Sequence, residues 1–436
     1  MRIAIFTDTY WPRVNGVTVS IESFTKSLLK RGHQVLIVCP FYPESSQVAN
    51  FSLINHDECG SIPESCIMRV PSVAVFASSE DRVSKTHKLF WVKRRISEFA
   101  PDIIHIQSEF VTADFGYFCA GTKHIPTVYT FHTLWEEYMR NYFPNVPLFI
   151  LKLLHKIIVG TAFKRAFRVI IPSLSVRDVA LRFKLKREPY LLSTGIDQKL
   201  FEHTQNEIDD FRSAMENKYP QLKTTIKHTT AKDETYLAKR RFKSKKILLY
   251  AGRIGREKNI DFLFDIAPGI LKKHNDVIFF IVGNGPDIIE YKGKCEERNL
   301  QNDVIFTGYM DRRILSLTYA IAKIFVFPSL TETQGLVTIE AMFSGLPVVA
   351  IGERGTLCVM NGDNGGFMVK NDKNEFTNRI FDLLEDDDLY DKKSAQAKEY
   401  AKHWSIDTAT EKLENIYREV IEDYQKNNTY PRAQHK

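Results

Sequence analysis

Late in the sequence, two carboxylates and a glycine stand together in Thr331-Glu332-Thr333-Gln334-Gly335-Leu336-Val337-Thr338-Ile339-Glu340. Apolar residues at Leu336, Ile339, Met342 and Phe343 keep the spacing of one helix face, so Gly335 opens a helix. The amides of Gly335, Leu336 and Val337 then lie at a helix N-terminus, where N–H groups lack intrahelical acceptors and favour a phosphate. A glycine there lets the phosphate approach the backbone closely. Glu332 and Glu340 on either side can accept hydrogen bonds from hydroxyls. Hydroxyls and phosphates together describe a sugar nucleotide.

These groups need strands and helices to aim them. Ile324–Phe327 reads as a short buried strand leading into the Glu332 loop, and it is one of a series with Lys246–Ala251, Val277–Val282, Val304–Thr307 and Pro347–Ala350. The first half carries the same pattern in Arg2–Thr7, Gln34–Cys39, Ile103–His105, Thr127–Thr130 and Val169–Ile171, with a helix over Val17–Arg31. Short apolar runs separated by helical patterns imply parallel strands with crossover connections. The expected fold class is α/β, with two Rossmann-like doubly wound domains in series and a cleft facing the carboxyl ends of both sheets. Residues 1–200 form the first domain and 246–405 the second. Between them, 201–245 reads as a charged linker or insertion with a helical piece at Ile208–Met215. In 406–436, apolar positions at Ala409, Leu413, Ile416, Tyr417 and Val420 mark an amphipathic helix followed by a frayed tail.

The 436 residues suit two domains, and 44% hydrophobic with 26% charged residues suits folded cores rather than disorder or a multi-span membrane protein. Met1–Asp8 reads as a first strand rather than a signal peptide, and no apolar run reaches bilayer length. Six cysteines without paired spacing fit a reduced cytoplasmic protein. No Asp-x-Asp clasp follows a strand, so no metal is expected; the Glu385–Asp388 acidic run reads as the solvated face of a late helix. The net charge is +7, and cations concentrate between Leu151 and Arg187. That excess suits an anionic lipid surface; without a zinc-finger or RNA-reading motif, nucleic acid is not expected as a partner.

The E-x7-E arrangement, with its TETQGL and EAMFSGLPVVA wording, closely resembles the retaining glycosyltransferases of family 4. The resemblance runs nearly the whole length and implies the GT-B arrangement, with a final helix crossing back onto the first domain. Phe6–Val17 looks like the family's first loop, where Gly16 would bring backbone amides towards the donor diphosphate. Ala251-Gly252-Arg253-Ile254-Gly255-Arg256-Glu257-Lys258 resembles GR-x4-K, which implies Arg253 and Lys258 as the diphosphate clamp. Two cations at a strand end would neutralise charge growing on a departing nucleoside diphosphate. By the same resemblance Glu340 holds the ribose, Glu332 the sugar, and His132 of Phe131-His132-Thr133 reaches the sugar from the first domain. Gly283, in Val282-Gly283-Asn284-Gly285-Pro286, matches a loop near the donor. Ser193-Thr194-Gly195-Ile196-Asp197 resembles N-G-I-D, with Thr194 where asparagine is usual.

For the acceptor, Leu148–Val159 with Ala162–Arg168, and Lys88–Ile96, mix apolar bulk with cations, as interfacial helices do. Buried helices with snorkelling lysines would read the same way. Gln107-Ser108-Glu109-Phe110, Gln334 and His132–Tyr138 resemble the diacylglycerol glycosyltransferase branch. The implied activity is a hexosyltransferase moving glucose or galactose from a UDP-sugar to diacylglycerol, with retained α configuration and no cofactor. It would work peripherally at the inner face of the cell membrane. A soluble glycan, lipopolysaccharide or phosphatidylinositol acceptor stays open, as does a non-catalytic nucleotide-sugar or membrane-binding role.

Overall fold

The computed structural model describes the chain apart from residues 14, 44–61, 76–77, 133–145, 184, 186, 225–242, 333, 361, 363 and 430–436. Residues 225–242 of the 201–245 insertion and the 133–138 part of the acceptor motif therefore lie outside the described residues. The chain divides into two compact units, Met1–Ile196 with Trp404–Lys436, and Asp197–His403.

The first unit runs β1 (Arg2–Phe6), α1 (Gly16–Lys30), β2 (Gln34–Pro40), β3 (Ile67–Val70), a hairpin of β4 (Ser72–Val75) and β5 (Ser78–Ser84), α2 (Leu89–Phe99), β6 (Ile103–Ile106), α3 (Val111–Lys123), β7 (Thr127–Thr130), α4 (Leu148–Arg165), β8 (Arg168–Ile171), α5 (Arg177–Arg182) and β9 (Tyr190–Leu191). Its sheet is parallel, in the order β3-β2-β1-β6-β7-β8-β9. Alternate side chains serve two cores, as a pleated strand requires. Ala4 and Phe6 pack under α2, α3 and α4, whereas Ile3 and Ile5 join Ile21 and Leu28 of α1.

The second core is completed from the far end of the chain. The last helix, α14 (Ile406–Thr429), seats Ala409, Leu413, Ile416, Tyr417 and Val420 in it, the five positions its sequence pattern marks. Ile196 N–H donates to the Trp404 carbonyl at 2.9 Å, and Ile406 N–H returns to Ile196 at 2.9 Å.

The second unit contains α6 (Gln205–Lys218), the short β10 (Lys223–Thr224) and β11 (Lys243–Ser244), β12 (Lys246–Ala251), α7 (Asp261–Lys273), β13 (Val277–Val282), α8 (Ile288–Glu297), β14 (Val304–Gly308), α9 (Arg312–Ile321), β15 (Ile324–Phe327), α10 (Leu336–Phe343), β16 (Val348–Ile351), α11 (Arg354–Val359), β17 (Gly366–Val369), α12 (Lys373–Glu385) and α13 (Asp387–Ala401). Its sheet, again parallel, runs β14-β13-β12-β15-β16-β17. In both sheets the strand order reverses beside the sheet's own first strand, between β1 and β6 and between β12 and β15. Loops leaving the carboxyl ends of such neighbours diverge and leave a crevice for ligands.

Two sequence expectations change. In the described part of 201–245 the expected helical piece is α6, with a Thr204–Glu207 capping box, anchored to α9 by Arg212 on the Ile321 carbonyl (3.0 Å) and by Glu207 on Arg313 (3.3 Å). The unit boundary accordingly falls at Asp197 rather than after residue 200. The Glu385–Asp388 run is a junction between helices rather than one helix face. Asp386 caps α13 by accepting from Leu389 N–H at 2.9 Å, and Asp387 and Asp388 occupy its first turn, where negative charge suits the helix dipole.

Candidate functional site

In the second unit, Lys258 and Glu332 come together at the β12/β15 reversal, with Arg253 on the same loop as Lys258. After β12 the chain turns through Gly252 and Arg253 into a single 3-10 turn, Arg256–Lys258, which ends at Asn259 in the left-handed conformation (φ 57°). The Asn259 amide donates to the Pro328 carbonyl at 3.1 Å, which ties this loop to the one following β15. Thr331 Oγ1 strengthens the tie by donating to the Glu257 carbonyl at 3.1 Å. The joined loops bring Lys258 Nζ to 2.5 Å from Glu332 Oε1, with 10% and 19% of the two side chains exposed. Ser329 Oγ donates to the same carboxylate oxygen at 3.0 Å. Arg253 pairs with Glu257 at 3.3 Å while half its side chain faces solvent (47%). Arg256 pairs with Glu290 at the surface, a solvated turn residue apart from this cluster.

Beneath the loop, the buried Tyr250 hydroxyl donates to the Arg253 carbonyl at 3.0 Å. Burial, with the Glu332 and Glu257 charges adding to it, holds that phenol well above its ordinary pKa. Glycine at 283 is a packing demand: φ is 135°, and a Cβ there would stand 1.9 Å from the Gly252 carbonyl oxygen.

Gly335 initiates α10 in the left-handed region (φ 66°), a geometry glycine takes without strain. Its carbonyl accepts from Thr338 N–H (3.0 Å) and Thr338 Oγ1 (2.7 Å), which fixes the first turn. Leu336 and Val337 N–H then belong to the helix end whose donors have no intrahelical acceptor. Glu340, a turn further on, lies 3.7 Å from Arg312 and accepts from the Tyr319 hydroxyl at 3.2 Å. Burial pushes its carboxyl above the ordinary range, and Arg312 and Tyr319 draw it back. Glu332 and Glu340 thus have separate partner sets on one loop-and-helix unit. Cations, backbone donors and hydroxyl-accepting carboxylates converge here, the groups a sugar nucleotide requires. Among the described residues, no group of three or more His, Cys, Asp or Glu could hold a metal ion.

The first unit places His132 beyond β7 and Gly16 at the start of α1, on separate loops. Asn15 caps α1 by accepting from Thr18 N–H at 2.9 Å, and the space over the Gly16 Cα is open. His132 Nε2 lies 2.5 Å from Gln107 Oε1 at the end of β6. Burial lowers its pKa to about 4, so the ring is neutral at physiological pH. Asp8, after β1, accepts from Ser108 Oγ (2.6 Å) and from the Phe110 (3.0 Å) and Thr112 (2.8 Å) amides, joining its loop to the start of α3. Burial raises its pKa, and Ser108 and these amides oppose the rise. Thr194 Oγ1 donates to Ser20 Oγ at 3.0 Å, a buried link to α1. Glu257, Ser329, Asn259 and Tyr250 escaped sequence reasoning. Only Glu257, four residues after Arg253, carried a local signal.

The basic apolar helices are only half buried. In α4, Leu151, Val159, Ala162 and Phe163 face the core, whereas Phe149 (71%), Leu153 (56%) and Ile157 (55%) are exposed. α2 buries Val92 and Ile96 and exposes Phe90 (73%) and Trp91 (48%). Both helices touch α3, through Phe90 on Phe118 and through the Tyr117 hydroxyl on the Ala162 carbonyl. Several cations of the 151–187 cluster are engaged within the chain: Arg165 with Asp114, Arg168 and Arg187 with Asp423, and Arg177 with Glu188. Among the described residues no helix is long and apolar enough to cross a membrane.

Residues 14–200 match Glycosyltransferase Family 4 and residues 232–404 match Glycosyl transferases group 1. The α-monoglucosyldiacylglycerol synthase of Streptococcus pneumoniae is 31% identical over 353 residues, 81% of this chain and 71% of that protein. The Acholeplasma laidlawii protein of the same name is 24% identical, over 97% of this chain and 98% of that protein. The crystal structure of Anabaena HepE in complex with UDP and glucose has the same fold, with a TM-score of 0.70 at 16% identity, covering 96% of this chain and 100% of that one. The chain therefore belongs to glycosyltransferase family 4 and has the two-domain GT-B fold.

Proposed function

We propose that this glycosyltransferase moves a hexose, glucose or galactose, from a UDP-sugar to diacylglycerol with retention of the α configuration. The observation that carries the donor half is the Lys258–Glu332 pair beside Arg253 and the start of α10. Arg253, Lys258 and the Gly335, Leu336 and Val337 amides bind the diphosphate, joined by backbone at Gly283. Glu340 takes the ribose hydroxyls and Glu332 the sugar. Binding of the diphosphate gives Lys258 a second anion and leaves Glu332 to accept from a sugar hydroxyl. The clamp meets the charge developing on departing UDP with cations and amides, so transfer proceeds without added metal and in the presence of chelator. The acceptor hydroxyl attacks on the face that UDP leaves, the C1–O bond to UDP breaks, and a departing phosphate oxygen takes the hydroxyl proton. His132 contacts the reacting sugar.

Two observations support a lipid acceptor. The relatives in Streptococcus pneumoniae and Acholeplasma laidlawii are named for making monoglucosyldiacylglycerol. In this chain, Phe90, Trp91, Phe149, Leu153 and Ile157 stay exposed on the two helices that touch α3, with Lys156 and Lys164 exposed on α4. That composition seats a helix in an anionic interface without spanning it. The unpaired thiols of Cys39, Cys66, Cys119, Cys295 and Cys358 suit the reducing, cytoplasmic side of that membrane. Offering UDP-glucose, UDP-galactose and GDP-mannose with diacylglycerol in mixed micelles tests the reading, together with co-sedimentation on anionic and neutral vesicles. Transfer from a UDP-hexose and retention on anionic vesicles are expected. Transfer to soluble glycans alone would overturn the lipid assignment.

A further inference from the structure

A hydrogen-bonded chain in the first unit runs from the last helix to His132. Tyr417 of α14 lies with its hydroxyl 2.6 Å from His105 Nδ1, and His105 Nε2 lies 2.7 Å from Thr130 Oγ1. The Gln107 amide nitrogen sits 3.3 and 3.2 Å from those two ring nitrogens, and its oxygen is the atom 2.5 Å from His132 Nε2. Tyr417, His105 and Gln107 are each at most 6% exposed. Burial keeps the Tyr417 phenol protonated and lowers His105 to about 3, with His132 adding to the second effect.

Proton placement follows link by link. A buried phenol must donate its one proton, and the acceptor within reach of Tyr417 is His105 Nδ1. Neutral His105 therefore carries its hydrogen on Nε2 and directs it at Thr130. Both ring nitrogens are then engaged, and the Gln107 amide packs against the ring with its carbonyl oxygen towards His132. Only an N–H can face that carbonyl.

We infer that Gln107 is a positioning residue that fixes His132 as the Nε2–H tautomer, with Nδ1 left as a lone pair able to meet a ligand hydroxyl. This rests on the reading that His132 contacts the reacting sugar. It deepens that reading: the group His132 meets is a hydroxyl that donates.

The test labels histidine with ¹⁵N in the full-length protein and reads the His132 imidazole tautomer at neutral pH in the wild type, Gln107→Leu and Tyr417→Phe. Expected is Nε2–H in the wild type and in Tyr417→Phe, and a mixture of tautomers in Gln107→Leu. Alongside it, kcat for transfer falls by about tenfold to a hundredfold in Gln107→Leu, the scale of a misplaced group, while UDP affinity stays at the wild-type value. Nδ1–H in the wild type, or an unchanged tautomer in Gln107→Leu, overturns the inference. The expected tautomers together with wild-type turnover in His132→Ala would instead remove the assigned contact with sugar and leave the tautomer assignment standing.

Discussion

Replacing Lys258 by methionine separates its structural role from its chemical one. The side chain is 10% exposed and its 2.5 Å bond to Glu332 is charge-assisted. Such bonds contribute about 1.5–3 kcal/mol, and the remaining exposure of Glu332 argues for the lower half of that range. Ser329 stays as a partner for the orphaned carboxylate. A loss of about 2 kcal/mol lowers Tm by roughly 4–8 °C in a domain of this size. Transfer should fall further, by about 10²–10³ in kcat, the usual cost of removing one donor aimed at developing charge. The decisive variant is the double change Lys258→Met with Glu332→Gln. Taking both charges away removes the unpaired carboxylate, so most of the lost stability returns while activity does not. Melting curves and single-turnover transfer on the two single variants and the double variant complete the cycle. If Lys258→Met melts as predicted yet turns over within about threefold of wild type, Lys258 supports the loop and does not serve the leaving group.

The other predictions concern separate groups. Glu340→Gln relieves the burial that raises this carboxyl, so Tm rises by a few degrees while UDP affinity, read by calorimetry, falls about tenfold or more. Phe149→Ser with Leu153→Ser and Ile157→Ser leaves Tm unchanged, because all three are exposed, but sheds the protein from anionic vesicles. Each such side chain contributes up to about 1.5–3 kcal/mol when buried in an apolar phase. Stability of the first unit depends on two depressed histidines. The unfolded chain takes up protons below pH 6.5, while folded His132 and His105 resist until about 4 and about 3. Their contribution is therefore complete above pH 6.5 and is lost as pH falls towards 4, by about 1.4 kcal/mol per pH unit for each ring. His132→Phe should flatten that slope in denaturant titrations.

Continuous apolar strands made most of both sheets legible, because a strand buried on two faces has no polar side to confuse the pattern. Lys246–Ala251 and Val277–Val282 end where the sequence reading puts them. β17 was missed because Gly366-Phe367-Met368-Val369 buries only its last residue and so lacks that run. The donor residues were legible because each follows a strand end or opens a helix, positions with local signatures in glycine and charge. Their support was not. Asn259 meets Pro328 across 69 residues and His105 meets Tyr417 across 312, and no local pattern encodes a partner so far away. α4 could be read as buried or interfacial until its exposed residues were located, because apolar residues surround the whole helix.

Incubating the protein with radiolabelled UDP-glucose, or UDP-galactose, and diacylglycerol in anionic mixed micelles, then extracting and identifying the lipid product, tests the proposed transfer itself. Label is expected in a lipid whose sugar is α-linked to the free hydroxyl of diacylglycerol, formed equally well with chelator present. Label that stays in the aqueous phase with either donor, or a β-linked glycolipid, would contradict it.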